Sequence, residues 1–143
     1  MTLRRLIQNV PSAFEPPAFW AALQADTAAA EATCGSDGNL SARLSSLADN
    51  LHLFPLDLQD LCNGTGAMPD EAWPFAAAMF ARGPHLVEAT MLSAVNVGGA
   101  AAAVGALAGS LFGALHGPEC FPAAWPEGLA ARAAVEAAAQ ALT

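Results

Sequence analysis

Apolar residues recur along this chain at intervals of three and four. Nowhere do Val, Ile, Thr and aromatics alternate with polar positions over five or more residues. That pattern predicts helices without a sheet. Pro16 and Pro17 open a segment in which Phe19, Trp20 and Leu23 lead into Ala-rich turns running to about Ala32, before a Cys-Gly-Ser-Asp-Gly-Asn break. From Asn39 or Ser41 a second helix places Leu40, Leu44, Leu47 and Leu51 on one face. A short helix after Pro55 is expected to turn Leu56, Leu58 and Leu61 inward and to stop at Asn63-Gly64-Thr65-Gly66. Asp70 then reads as an N-cap, with Pro74 at the fourth helical position, where its missing N–H breaks no intrahelical bond. This helix runs to about Arg82 and stops at Gly83-Pro84, and another runs from about His85 to Val97. Gly98-Gly99 separates it from an uncharged Ala/Gly helix over Ala100 to Leu115. After Gly117-Pro118 come a short helical turn within Cys120 to Leu129 and an Ala-rich stretch to Leu142. The sum is six or seven helices in one all-α domain over residues 1–143, with no fixed-period repeat and hence no solenoid.

Composition narrows the function classes. Of 143 residues 55% are hydrophobic and 13% charged, and the formal charge is −8. All five cations are arginines, so no basic stripe exists to release counterions from a phosphate backbone, and nucleic acid is excluded as the main partner. A chain this apolar also lacks the composition of a disordered segment. Cys34, Cys62 and Cys120 form no CxxC pair, which argues against a zinc site or a disulfide framework and fits a reducing cytoplasm. The residues before Pro11 hold two arginines but no apolar run of signal-peptide length, so the expected location is cytoplasmic.

No charged residue stands between Glu88 and Glu119, and Gly105, Gly109, Gly113 and Gly117 recur there at four-residue spacing, the small-xxx-small pattern of packed membrane helices. Asn96, Gly98 and Gly99 interrupt the run. The uninterrupted piece is short and built of Ala and Gly, so a tightly packed soluble helix is expected and a membrane span is not. Gly105, Gly109 and Gly113 then read as a groove that receives another helix.

The motifs from Gly64 onward are specific in their order. A Gly64-Thr65-Gly66 turn and a helix with an early proline lead to Ala94-Val95-Asn96-Val97-Gly98-Gly99. Val104 through Gly117 follows as an Ala/Gly helix, then Pro122-Ala123-Ala124-Trp125. This order resembles the C-terminal part of the ADP-ribosylglycohydrolase family, all-helical enzymes that hydrolyse the bond between ADP-ribose and a modified arginine, serine or related acceptor. The likeness is distinctive over about 65 residues and carries no motif before Gly64. It implies a compact orthogonal multi-helix domain.

The departures from the family bear on chemistry. Where the family has Asp-Thr-Asp-Thr, helping to hold a pair of magnesium ions, this chain has Ala100, Ala101, Ala102 and Ala103. Mg²⁺ takes oxygen ligands in octahedral geometry, and an alanine side chain offers none. The resemblance implies that the family's other ligands belong to an N-terminal half, for which no counterpart is expected in this sequence. Asp57 with Asp60, and Asp70 with Glu71, are the nearest acidic pairs, better read as a solvated face and as a cap with a first-turn acid. His52, His85 and His116 lack metal-binding spacing, and Ser41, Ser45, Ser46 and Ser110 lie in no Gly-x-Ser-x-Gly context. No catalytic residue, metal ligand or cofactor is therefore assigned.

Asn96, Gly98 and Gly99 remain as vestigial ligand-binding candidates, because N–H groups at a helix start favour an anion such as the phosphates of ADP-ribose. The competing reading is that the glycines only permit a tight turn and close helix approach. The leading expectation is a catalytically inactive, truncated relative kept as a helical interaction module, either a homo-oligomer, most simply a dimer, or bound to a separate protein. Half of a split Mg²⁺-dependent hydrolase and a non-catalytic nucleotide binder are the alternatives.

Overall fold

The computed structural model describes residues 14–66 and 68–141, and no strand occurs among them. The helices are α1 (Pro16–Cys34), α2 (Asn39–Ala48), α3 (Pro55–Leu61), α4 (Pro69–Arg82), α5 (Val87–Asn96) and α6 (Ala101–His116). A 3-10 turn (Pro118–Cys120), α7 (Ala124–Glu127) and α8 (Arg132–Ala141) follow. None of these helices is long and apolar enough to cross a membrane.

Local chemistry accounts for the helix ends. Prolines stand in the first turns of α1, α3 and α4, where a missing N–H costs no hydrogen bond. α1 ends at Gly35, left-handed at φ 68°, whose N–H donates to the Glu31 carbonyl. The carboxylate of Glu31 in turn accepts the Leu40 N–H at 2.9 Å and the Ser41 N–H at 3.3 Å. One acidic residue thus satisfies donors in the first turn of α2 and couples the two helices. The Ser41 hydroxyl, together with these backbone donors, holds the Glu31 carboxyl below its ordinary value, against desolvation and the nearby Asp37 charge.

α4 is the centre of the molecule. Every residue from Pro74 to Ala81 is buried, and the helix packs chiefly on α6 but also on α1, α2, α3 and α5. A helix enclosed on all sides has no solvent stripe, and here alanines at 76, 77, 78 and 81 let the neighbours approach closely. Phe80 anchors an aromatic stack. Its ring lies 5.3 Å from Phe14, 5.2 Å from Phe19 and 5.0 Å from Phe112, all edge-on, so α1, α4 and α6 meet on one side chain. Leu23, Leu44, Leu47, Leu58, Val104 and Leu111 complete the core. Trp20 satisfies its indole N–H on the Leu44 carbonyl at 3.2 Å.

Four local expectations are corrected. Asp70 is not the N-cap of α4: extended Met68 occupies that place, Pro69 begins the helix, and Asp70 and Glu71 become first-turn acids. Pro74 is consequently the sixth helical residue, and its missing N–H does leave a carbonyl, that of Asp70, without its helical partner. Arg43 Nη1 donates to that carbonyl and also, at 2.9 Å, to the Cys62 carbonyl, while Nη2 pairs with the Asp70 carboxylate at 3.1 Å. In α3 only Leu58 turns inward, and Leu56 and Leu61 are exposed. Seven residues make two turns, enough to present a single narrow stripe to the core. α5 begins at Val87 rather than His85.

Candidate functional site

The turn at Gly98-Gly99, which carries the sequence-level binding candidates, packs against the turn at Asn63-Gly64-Thr65-Gly66. Both turns use left-handed backbone: Asn63 at φ 60°, Gly64 at 106°, Gly98 at 91° and Gly99 at 67°. Thr65 is buried between them. Its hydroxyl donates to the Gly98 carbonyl at 2.9 Å and accepts from Gln59 Nε2 at 2.9 Å, and its carbonyl accepts the Ala100 N–H. A Cβ on Gly99 would overlap both the hydroxyl and the carbonyl of Thr65. Gly66 is similarly bare because the Glu71 carboxylate lies against it. These contacts give the glycines a structural task, and they commit one of the N–H groups that an anion at the start of α6 would need. Asn96 is the last residue of α5 and is exposed.

Ala100 is the N-cap of α6, and Ala101, Ala102 and Ala103 form its first turn. Four methyl groups therefore stand where the family resemblance leads one to look for oxygen ligands. Among the described residues no group of three or more His, Cys, Asp and Glu side chains is placed to hold a metal ion. The residues present do not fit a magnesium pair, and no step through one is derived. Asp57 and Asp60 are exposed on α3, and Asp70 is engaged by Arg43.

The glycine stripe of α6 faces its own chain. A Cβ on Gly105 would approach Val95 Cγ1 to 3.2 Å, one on Gly109 would meet Met91 Cε at 3.6 Å, and one on Gly113 would meet the Phe121 ring at 3.8 Å. The first two partners belong to α5, so small residues here let α5 lie close along α6.

The structure also brings together groups that spacing kept apart. His85 and His116 meet edge to face with ring centroids 5.6 Å apart, and His116 Nε2 donates to the Pro84 carbonyl at 2.6 Å. With Val87, Glu119 and Cys120 they line an open cleft of about 410 Å³. Burial raises the Cys120 thiol above its usual value. It pushes the Cys62 thiol up to about 12 despite the neighbouring Arg43 charge, so both stay protonated and poorly nucleophilic at neutral pH. His52 is exposed elsewhere, and Cys34 is exposed at the end of α1. Sequence reasoning missed Thr65, whose partner Gly98 lies 33 residues away, and Gln59, which donates to Thr65 six residues on; the Gly-Thr-Gly turn was the available signal for the first.

An all-helical fold, a Gly-Thr-Gly turn locked on a Gly-Gly turn and an Ala/Gly helix springing from it define the class. The family model for ADP-ribosylglycohydrolase matches residues 2–143, and the chain belongs to that family. The match thus extends well before Gly64, over helices in which the sequence shows no distinctive motif. No curated protein and no solved structure matches the chain.

Proposed function

We propose that this member of the ADP-ribosylglycohydrolase family performs no glycohydrolase chemistry and works as a helical interaction module without a divalent cation. The observation that carries the reading is the start of α6, where alanines at the N-cap and through the first turn offer no side-chain oxygen to coordinate a metal. Catalysis of this kind relies on carboxylates that fix metal ions and water, and removing ligands forfeits both affinity and positioning. The interaction role is supported by large apolar side chains left in solvent, among them Phe54, Leu56, Met68 and Leu86. The test is release of ADP-ribose from an ADP-ribosylated protein with and without Mg²⁺. The expected result is no release above background in either case, and Mg²⁺-dependent turnover overturns the proposal.

A further inference from the structure

Around α3 large apolar side chains alternate with acids in a way the fold does not use. Phe54 caps the helix and is 77% exposed, Leu56 is 62% exposed, and Met68, capping α4, is 61% exposed. Leu61 is exposed as well. On α3 each exposed leucine has an exposed aspartate one turn away, Leu56 with Asp60 and Leu61 with Asp57. The helix is only about 10 Å long, and Arg43 fastens its end to the start of α4 by bonding the Cys62 and Asp70 carbonyls. Leu56, Asp57, Asp60 and Leu61 therefore share one side of a firmly held helix, with Phe54 at its N-cap. Of the nearby cations, Arg43 is paired with Asp70, and Arg82 is held on the Leu53 carbonyl at the Phe54 end.

The charge pattern selects the occupant. A second copy on this face would form a two-fold interface with the Asp57 and Asp60 carboxylates of both copies in the same contact. That is like-charge juxtaposition in a chain of net charge −8 with no lysine to relieve it. We infer that the α3 face docks an amphipathic segment of a separate protein, with apolar residues for Phe54, Leu56 and Leu61 and basic residues for Asp57 and Asp60. This rests on the interaction-module reading and names its partner class.

The test uses the full chain and a labelled amphipathic leucine–lysine peptide, followed by fluorescence anisotropy, with a leucine–glutamate peptide as its counterpart. The lysine peptide is expected to bind, more weakly as salt rises. Affinity is expected to fall roughly tenfold or more in Leu56→Ser/Leu61→Ser and in Asp57→Asn/Asp60→Asn, and to hold in Glu88→Gln/Glu119→Gln. The substituted side chains are exposed, and unchanged thermal melts show that the variants fold. Absence of binding, equal binding by the glutamate peptide, or equal loss in all three variants overturns the inference. So does a dimer of the unaltered chain, seen by sedimentation, that Leu56→Ser/Leu61→Ser dissociates. Release of ADP-ribose would instead overturn the interaction-module reading while leaving the peptide result to be judged on its own.

Discussion

α4 and α8 are both rich in alanine, yet they occupy opposite environments. Every residue from Pro74 to Ala81 in α4 is buried, whereas no residue of α8 is. Alanine does not choose between them: it favours the helix in both and offers too little surface to drive burial alone. The large residues decide. α4 carries Phe75, Met79 and Phe80 among its alanines, and all three are buried. α8 has only Val135, which is 53% exposed. Alanine content thus reports how closely a helix lets neighbours approach, and the few large side chains report whether neighbours come.

The largest test of this contrast is Phe80→Ala, which removes the ring shared by α1, α4 and α6. It is expected to cost about 3–5 kcal/mol in denaturant unfolding, while Val135→Ala in α8 changes stability by less than about 0.5 kcal/mol. A second pair compares glycines at the two ends of α6. Gly99→Ala drives a Cβ into Thr65 at a left-handed φ and is expected to cost more than about 2 kcal/mol. Gly117→Ala meets open space but forces a side chain into a nearly Gly-only backbone region (φ 81°, ψ 176°), so strain alone should cost about 1–3 kcal/mol. A third pair adds bulk: Ala77→Leu overpacks the core and should lower stability by about 1–3 kcal/mol, whereas Ala138→Leu leaves the melting temperature unchanged. The smallest effect is acid sensitivity at the α1–α2 junction. Glu31 has a lowered folded-state pKa, so its stabilising contribution is complete above its ordinary value of 4.5 and is lost as pH falls through the folded value. Glu31→Gln is expected to flatten stability against pH over that acidic window, measured by urea titration at successive pH values.

How much of this was written locally in the chain follows from the range of each interaction. Leu44 and Leu47 are fully buried as the leucine stripe of α2 predicts, because a periodic pattern reports a helix face directly. The same logic fails for Leu56 and Leu61, since a two-turn helix shows the core one stripe and its spacing does not say which. Asp70 looked like a cap because acids favour helix starts, but Pro69 fits the first helical position and moves the boundary by two residues. The Ala100–Ala103 run was plain in the sequence, as was the glycine turn before it. Thr65 was not, because its role rests on a contact 33 residues away that no local period encodes, and Gln59, which donates to Thr65, takes its role from that contact.

The pairing of Thr65 with Gly98 and Ala100 also has a topological meaning. It closes a loop whose contents are α4 and α5, joining the start of the segment to the first turn of α6. A closed loop of this kind is a natural unit of cooperative opening: α4, α5 and the N-terminal turn of α6 are expected to open as one unit, seen as a shared exchange rate of their amides. α8 lies outside the loop and buries nothing, so its amides are free to exchange with solvent by fraying alone.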